Sequence, residues 1–149
     1  MVLPTYNECD NVAPIIAELL PLQHSCDLEI LFVDDDSADG TAEVVRELAH
    51  RHPCVRLIRR VGRAGLSSAI KEGILDATGD LVMVMDSDGQ HEPAAVERAL
   101  AALIDGPVDL VVGSRFHPEA VIHGLSARRE RNSNLANSVA RFKIGRAHV

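Results

Sequence analysis

LEILFVDDDSADGT, residues 28–41, is the stretch that decides the fold. Leu28–Val33 is a short apolar run of the kind that a parallel strand buried on both faces requires. Three aspartates, Ser37 and the Asp39–Gly40 pair follow as a dense turn cluster. Val44, Val45 and Leu48 then recur at helical spacing. The unit is therefore strand, acidic turn, helix, and it repeats in both directions. Upstream, Met1–Leu3 reads as the end of a strand and PTYNE (4–8) as its turn. A helix over Asn11–Leu20 follows, with Val12, Ile15, Ile16, Leu19 and Leu20 on one face. Downstream, Val55–Ile58 reads as a third strand. Gly62–Gly65 is a glycine-bearing loop leading into a helix through Ala69, Ile70 and Ile74. Leu81–Met85 reads as a fourth strand, and Pro93–Ile104 as a helix with proline in its first turn. Leu110–Val112 reads as a fifth strand, and the stretch from Ser126 to about Lys143 as a less regular helix.

Alternation of this kind implies an α/β fold, with a mostly parallel sheet flanked by helices and right-handed crossovers. Only 3% of the residues are aromatic, so the core has to be built from Val, Leu, Ile and Ala. In open sheets of this type ligands bind beyond the carboxyl ends of the strands. Four polar clusters fall at those ends: PTYNE (4–8), DDDS (34–37), DSDGQH (86–91) and GSR (113–115). Turn chemistry alone accounts for scattered Asp, Asn, Ser and Gly. It does not account for two dense acidic groups and an arginine on one edge.

Asp86-Ser87-Asp88 follows the apolar run LVMVM directly. Two carboxylates one residue apart suit one hard cation, Mg²⁺ or Mn²⁺, with positions left open for diphosphate oxygens. Without a cation, like charges so close repel. Gln90 and His91 stand near enough in sequence to add a contact. The competing reading is a solvated acidic turn, which the D-x-D spacing alone favours and its strand-end position opposes. In Asp34–Ser37, an Asp can accept N–H or hydroxyl donors from a nucleoside, while Asp36 or Ser37 caps the turn and Asp39-Gly40-Thr41 starts the helix. Tyr6, the one tyrosine, can stack on a base or sit half-buried at the sheet edge. Arg63 between Gly62 and Gly65 can approach an anion, and Arg115 can grip a phosphate bidentately.

Charge is unevenly placed. The chain carries a formal net charge of −7. Residues 124–149 hold six Lys/Arg (Arg128, Arg129, Arg131, Arg141, Lys143, Arg146) against Glu130, a local +5, which leaves −12 on the rest. A basic segment on an acidic body suggests contact with phosphates or an anionic membrane face; a solvated helix face is the alternative. Cys9, Cys26 and Cys54 lack metal or disulfide spacing and read as reduced thiols. No apolar run is long enough to span a bilayer, so any membrane association is expected to be peripheral, and the expected location is cytoplasmic, at the cytoplasmic face of a membrane.

Six segments in order, PTYNE (4–8), VDDDSADGT (33–41), GRAGLSSAIKEG (62–73), ATGD (77–80), MDSDGQHEP (85–93) and GSR (113–115), resemble family 2 glycosyltransferases. The likeness is greatest to the polyprenyl-phosphate (dolichyl-phosphate) mannosyltransferase group. The resemblance implies a glycosyltransferase A-type, Rossmann-like nucleotide-binding fold. It implies a catalytic domain over residues 1–143, cut short at both ends, with residues 144–149 a tail that continues no pattern. By resemblance, Pro4, Tyr6, Glu8, Val33 and Asp35 contact the nucleoside. Asp86, Asp88 and Gln90 hold the metal, with the Ser87 backbone near the diphosphate. Arg115 faces the reacting phosphates, and Arg129, in RRERNS (128–133), matches an arginine of the acceptor helix. Asp88, Arg115 and Arg129 are the expected catalytic residues.

The implied activity is a metal-dependent, inverting transfer of mannose from GDP-mannose to a polyprenyl (dolichyl) phosphate, with no nucleic-acid partner. A UDP-sugar donor, for lipid phosphate or polysaccharide, is the alternative within the family. A receiver-type signalling module shares the acidic pair and strand-end Asp86 but requires a lysine where this chain has arginine, and it leaves PTYNE and Asp88 unexplained. A sugar-phosphate nucleotidyltransferase requires a glycine-rich loop where PTYNE stands. A fragment that only binds nucleotide is the remaining alternative.

Overall fold

A computed structural model describes residues 1–89 and 93–113. Met1–Val112 form one compact unit. Its elements are β1 (Val2–Thr5), α1 (Cys9–Leu19), a 3-10 turn (Leu20–His24), β2 (Ile30–Asp34), α2 (Thr41–Arg51), β3 (Val55–Arg59), α3 (Leu66–Asp76) and α4 (Pro93–Asp105). The three strands pair in parallel in the order β1-β2-β3, with Val2 opposite Leu31 and Ile30 opposite Val55.

β1 and β2 are buried throughout because helices cover both of their faces. Leu3, Ile30 and Phe32 point into a core with Val12, Ile15, Ile16 and Leu19 of α1, Val45 of α2 and Val96 of α4. The alternate residues Val2, Leu31 and Val33 point to the opposite face, against Ala69 of α3. The period-2 alternation of the strand thus feeds two layers at once, and all of these strand residues are fully buried.

Helix α3 departs from the expected face. Ile74 is exposed, and Gly73 is buried in its place. A Cβ at Gly73 would lie 2.4 Å from Val2 Cγ1 and 2.9 Å from Val33 Cγ2. The helix rests directly on the sheet through a residue that apolar periodicity cannot reveal.

The expected fourth and fifth strands are not strands. Leu81–Met85 runs beside β1 and joins it through a single parallel bridge, Val2 to Val84. The Val2 N–H donates to the Met83 carbonyl (2.7 Å) and the Met85 N–H to the Val2 carbonyl (3.1 Å). Leu81, Val82 and Val84 are partly exposed, because no described segment pairs on their other side. Leu110–Val112 has no strand partner among the described residues, and Leu110 and Val112 are exposed. An apolar run becomes a strand only when a neighbour takes up its N–H and C=O groups.

The Val84 segment matters for placement. It lies beside β1 on the side away from β2, so the spatial order is β3, β2, β1, then residues 83–85. The chain order reverses at β1, which makes the carboxyl ends of β1 and of this segment a topological switch point.

Candidate functional site

The described turns at this edge are tied together by side-chain and backbone hydrogen bonds. The exit of β1 is fastened to the exit of β2: the Asn7 N–H donates to Ser37 Oγ (2.8 Å), the Ala38 N–H to Asn7 Oδ1 (3.2 Å) and the Asp35 N–H to the Thr5 carbonyl (3.0 Å). Asn7 (φ 56°) and Asp36 (φ 57°) adopt the left-handed region, which Asn and Asp tolerate better than other residues with a Cβ. Asp39 joins the starts of two helices. Its carboxylate accepts from the Cys9 N–H, heading α1, and from the Thr41 N–H and hydroxyl, heading α2. The Thr41 hydroxyl bond, ahead of burial, holds the Asp39 carboxyl below its ordinary pKa.

On the other side of β1, Ser87 is buried and its hydroxyl donates to the Pro4 carbonyl (3.0 Å). This bond pins the Asp86–Asp88 turn against the β1 exit. Gly89 (φ 70°) adopts the left-handed region, and a Cβ there would lie 3.9 Å from Asn11 Oδ1. PTYNE is therefore flanked by the Asp34–Ser37 turn and by Asp86–Gly89.

The acidic residues of this edge differ in how they are compensated. Asp34 is fully buried and accepts from the Ser37 N–H and hydroxyl, so it holds the turn that Asp36 or Ser37 was expected to cap. Asp36 pairs with Arg59 at 2.6 Å. Asp35 pairs with the buried Arg60 and also accepts from the Gly65 N–H at 2.7 Å. Arg63 binds Glu72 through both carboxylate oxygens, at 3.0 Å each. Asp86 is exposed and has no hydrogen-bond or ion-pair partner among the described residues; Asp88 is exposed beside it. No group of three or more His, Cys, Asp or Glu side chains gathers closely enough among the described residues to hold a metal alone. The fit to a hard cation therefore rests on two oxygen donors of one turn, leaving most of the coordination shell to other oxygens.

The other residues singled out from sequence are placed as follows. Tyr6 is 64% exposed at the edge. Glu8 is half-buried; its N–H donates to Thr41 Oγ1 and its carboxylate accepts from Asn11. Pro4 and Val33 are buried, and the Val33 side chain belongs to the core beneath α3. Gln90, His91, Arg115 and Arg129, and the basic stretch after residue 124, lie outside the described residues. A cavity of about 640 Å³ lies at the opposite, amino edge, lined chiefly by aliphatic side chains including Leu22, Leu28, Met83 and Leu100.

The family profile described as Glycosyl transferase family 2 matches residues 1–146. The chain belongs to glycosyl transferase family 2. Among curated relatives of this family 2 chain, a dolichol-phosphate mannosyltransferase of Pyrococcus furiosus is 39% identical over 116 residues, covering 78% of this chain and 32% of the relative. A polyprenol monophosphomannose synthase of Mycolicibacterium smegmatis is 36% identical over 150 residues, covering 97% of this chain and 55% of the relative. The chain thus spans from just under a third to somewhat over half of the length of these relatives. Among solved structures, a mannosyltransferase from Pyrobaculum calidifontis in complex with GDP-Man and Mn²⁺ superposes with a TM-score of 0.53 at 32% identity, covering 70% of this chain and 31% of the other. The parallel sheet flanked by helices is the fold shared with that structure.

Sequence reasoning missed Arg60 in this family 2 chain. It carries four contacts yet sits outside the quoted motifs, and nothing in an Arg-Arg pair after an apolar run says which arginine turns inward. The available signal was an arginine just past the end of an apolar strand, next to the acidic end of its neighbour.

Proposed function

We propose that this chain is the nucleotide-sugar-binding portion of an inverting glycosyltransferase that moves mannose from GDP-mannose to a polyprenyl phosphate, at the cytoplasmic face of a membrane. The observation that carries the reading is the contrast at the carboxyl edge. Asp34, Asp35, Asp36 and Asp39 are compensated within the protein, whereas Asp86 is left without a protein partner among the described residues. An uncompensated carboxylate in a turn fixed by the Ser87–Pro4 bond is suited to a ligand that brings positive charge. The names of the relatives, and the GDP-Man and Mn²⁺ of the Pyrobaculum protein, support this choice of donor and metal.

Asp86 and Asp88, with Gln90, would hold Mn²⁺ or Mg²⁺. When bound, the ion offsets the charge that develops on a departing nucleoside diphosphate. The protein's own contribution is positioning. Tyr6 offers an exposed ring for the base, and Asp35 an acceptor already oriented by its partners. Arg115 and Arg129 orient the acceptor phosphate and reduce the repulsion between two anionic substrates. A phosphate monoester has a second pKa of about 6 and is largely dianionic near neutrality. It needs no protein base, unlike a hydroxyl acceptor. The +5 segment 124–149 suits an anionic membrane surface. Among the described residues no helix is long and apolar enough to cross a membrane.

The test is transfer of radiolabelled mannose from GDP-mannose to a short polyprenyl phosphate in the presence of Mn²⁺. Wild type is expected to form a labelled lipid, and Asp88→Ala to lose at least about a hundredfold in kcat/KM, the scale of losing a stabiliser of leaving-group charge. Transfer by Asp88→Ala at the wild-type rate would contradict the assignment.

A further inference from the structure

We propose that Arg60 is a positioning residue that sets nucleobase discrimination by fixing the Asp35 carboxylate. The proposal rests on the donor-site reading above. Arg60 is 2% exposed, immediately after the last residue of β3, and its N–H donates to the Asp34 carbonyl (2.8 Å). Every nitrogen of its guanidinium is used. Nη1 donates to Asp35 Oδ1 (2.5 Å) and to the Gly65 carbonyl (3.2 Å), Nη2 to Ser68 Oγ (2.5 Å), and Nε to Glu72 (3.2 Å). The second Asp35 oxygen accepts from the Gly65 N–H. Gly65 has φ 130°, a conformation that residues with a Cβ rarely adopt, so the loop that carries this donor depends on glycine.

Asp35 is thus gripped at both oxygens by groups of β3's exit and the loop into α3. A carboxylate offers about four acceptor positions. With two engaged, the remainder keep a fixed direction, and the Asp35 side chain retains 10% exposure through which a ligand can reach it. Stability alone does not account for a buried arginine here, because a buried ion pair is often no better than apolar residues of the same volume. What the planar fork supplies is orientation, which the single ammonium of lysine cannot reproduce.

An oriented acceptor discriminates between bases. Guanine presents adjacent N1–H and N2–H donors, and uracil an N3–H. Adenine N1 and cytosine N3 are acceptors and would oppose a carboxylate. Arg60 therefore favours the member of each pair that carries a ring N–H, guanine over adenine and uracil over cytosine, without touching the base.

The test is calorimetric titration of the full chain with GDP, ADP, UDP and CDP in the presence of Mn²⁺. Arg60→Lys keeps the charge and loses the fork. Ser68→Ala removes one tether of the fork. Wild type is expected to prefer the base with a ring N–H by about 10- to 100-fold, the worth of one hydrogen bond to a charged acceptor. Arg60→Lys is expected to lose at least about tenfold of that ratio, with affinity for the disfavoured nucleotide changing by less than about threefold. If Arg60→Lys lacks a cooperative thermal transition, Ser68→Ala decides by the same criterion, with a smaller loss expected. A wild-type ratio retained in the deciding variant, or equal weakening of both nucleotides, would overturn the role of Arg60 alone. Failure of wild type to bind any of the four would overturn the donor-site reading, and this role with it.

Discussion

At the scale of single residues, the acidic carboxyl edge is several separate arrangements, and the charges differ in what they can do. Asp34 shapes a turn, Asp39 joins two helix starts, and Asp36 and Asp35 are matched by Arg59 and Arg60. The sequence shows the aspartates plainly but not this division, because the arginines that match Asp35 and Asp36 come from the end of β3, more than twenty residues away. At the opposite edge, burial alone would push the Glu29 carboxyl up. The Thr78 N–H and the Arg56 guanidinium outweigh burial and hold it below the ordinary value. Asp39 is held low as well. Both carboxyls have folded-state pKa values below those of the unfolded chain, which lie at about 4. Their stabilisation is therefore present above that value and is lost as pH falls through the folded-state values. Thermal unfolding followed from pH 7 to pH 2 should show the midpoint falling on the acid side. Glu29→Gln and Asp39→Asn should each lower the midpoint at pH 7 and flatten that fall. A wild-type midpoint indifferent to acid, or variants with an unchanged acid limb, would contradict the assignment.

At the scale of elements, the period of the apolar residues located every described helix and the first three strands to within a few residues. It failed where packing depends on something other than an apolar side chain. α3 lies on β1 and β2 through Gly73, not Ile74, because only a missing Cβ allows the backbone so close to Val2 and Val33. Gly73→Ala should gain about 1 kcal/mol in helix propensity. The overlap with two buried, β-branched side chains costs about 1–3 kcal/mol, more if the sheet cannot yield. The overlap is expected to prevail, lowering the denaturation midpoint with an unchanged m-value. A Gly73→Ala protein more stable than wild type would show that α3 does not rest on the sheet in this way. The Leu81–Met85 run illustrates the other limit: its composition is that of a strand, yet one bridge to β1 is all the pairing it has among the described residues. Composition cannot reveal whether a neighbouring strand is present. The run nevertheless delivers Asp86–Asp88 to the place its strand-like reading implied, because the bridge fixes its direction and Ser87 fixes its end.

At the scale of the whole molecule, three parallel strands and the Val84 segment place a chain-order reversal at β1, and the polar turns on either side of that reversal form the candidate site. This much was legible in the alternation of apolar runs and polar turns. The arginines expected to face the acceptor, Arg115 and Arg129, lie outside the described residues, so the donor half of the proposed site is the part the fold itself supports. Its central claim is that Asp86 and Asp88 accept a cation together with a nucleoside diphosphate. The most direct measurement is thermal unfolding with GDP-mannose, with and without Mn²⁺, for wild type and Asp86→Ala. Ligand at about a hundred times its Kd should raise the wild-type midpoint by about 5–10 °C when metal is present and far less without it, and Asp86→Ala should lose the metal-dependent part. An equal shift with and without Mn²⁺, or a full shift in Asp86→Ala, would contradict the claim.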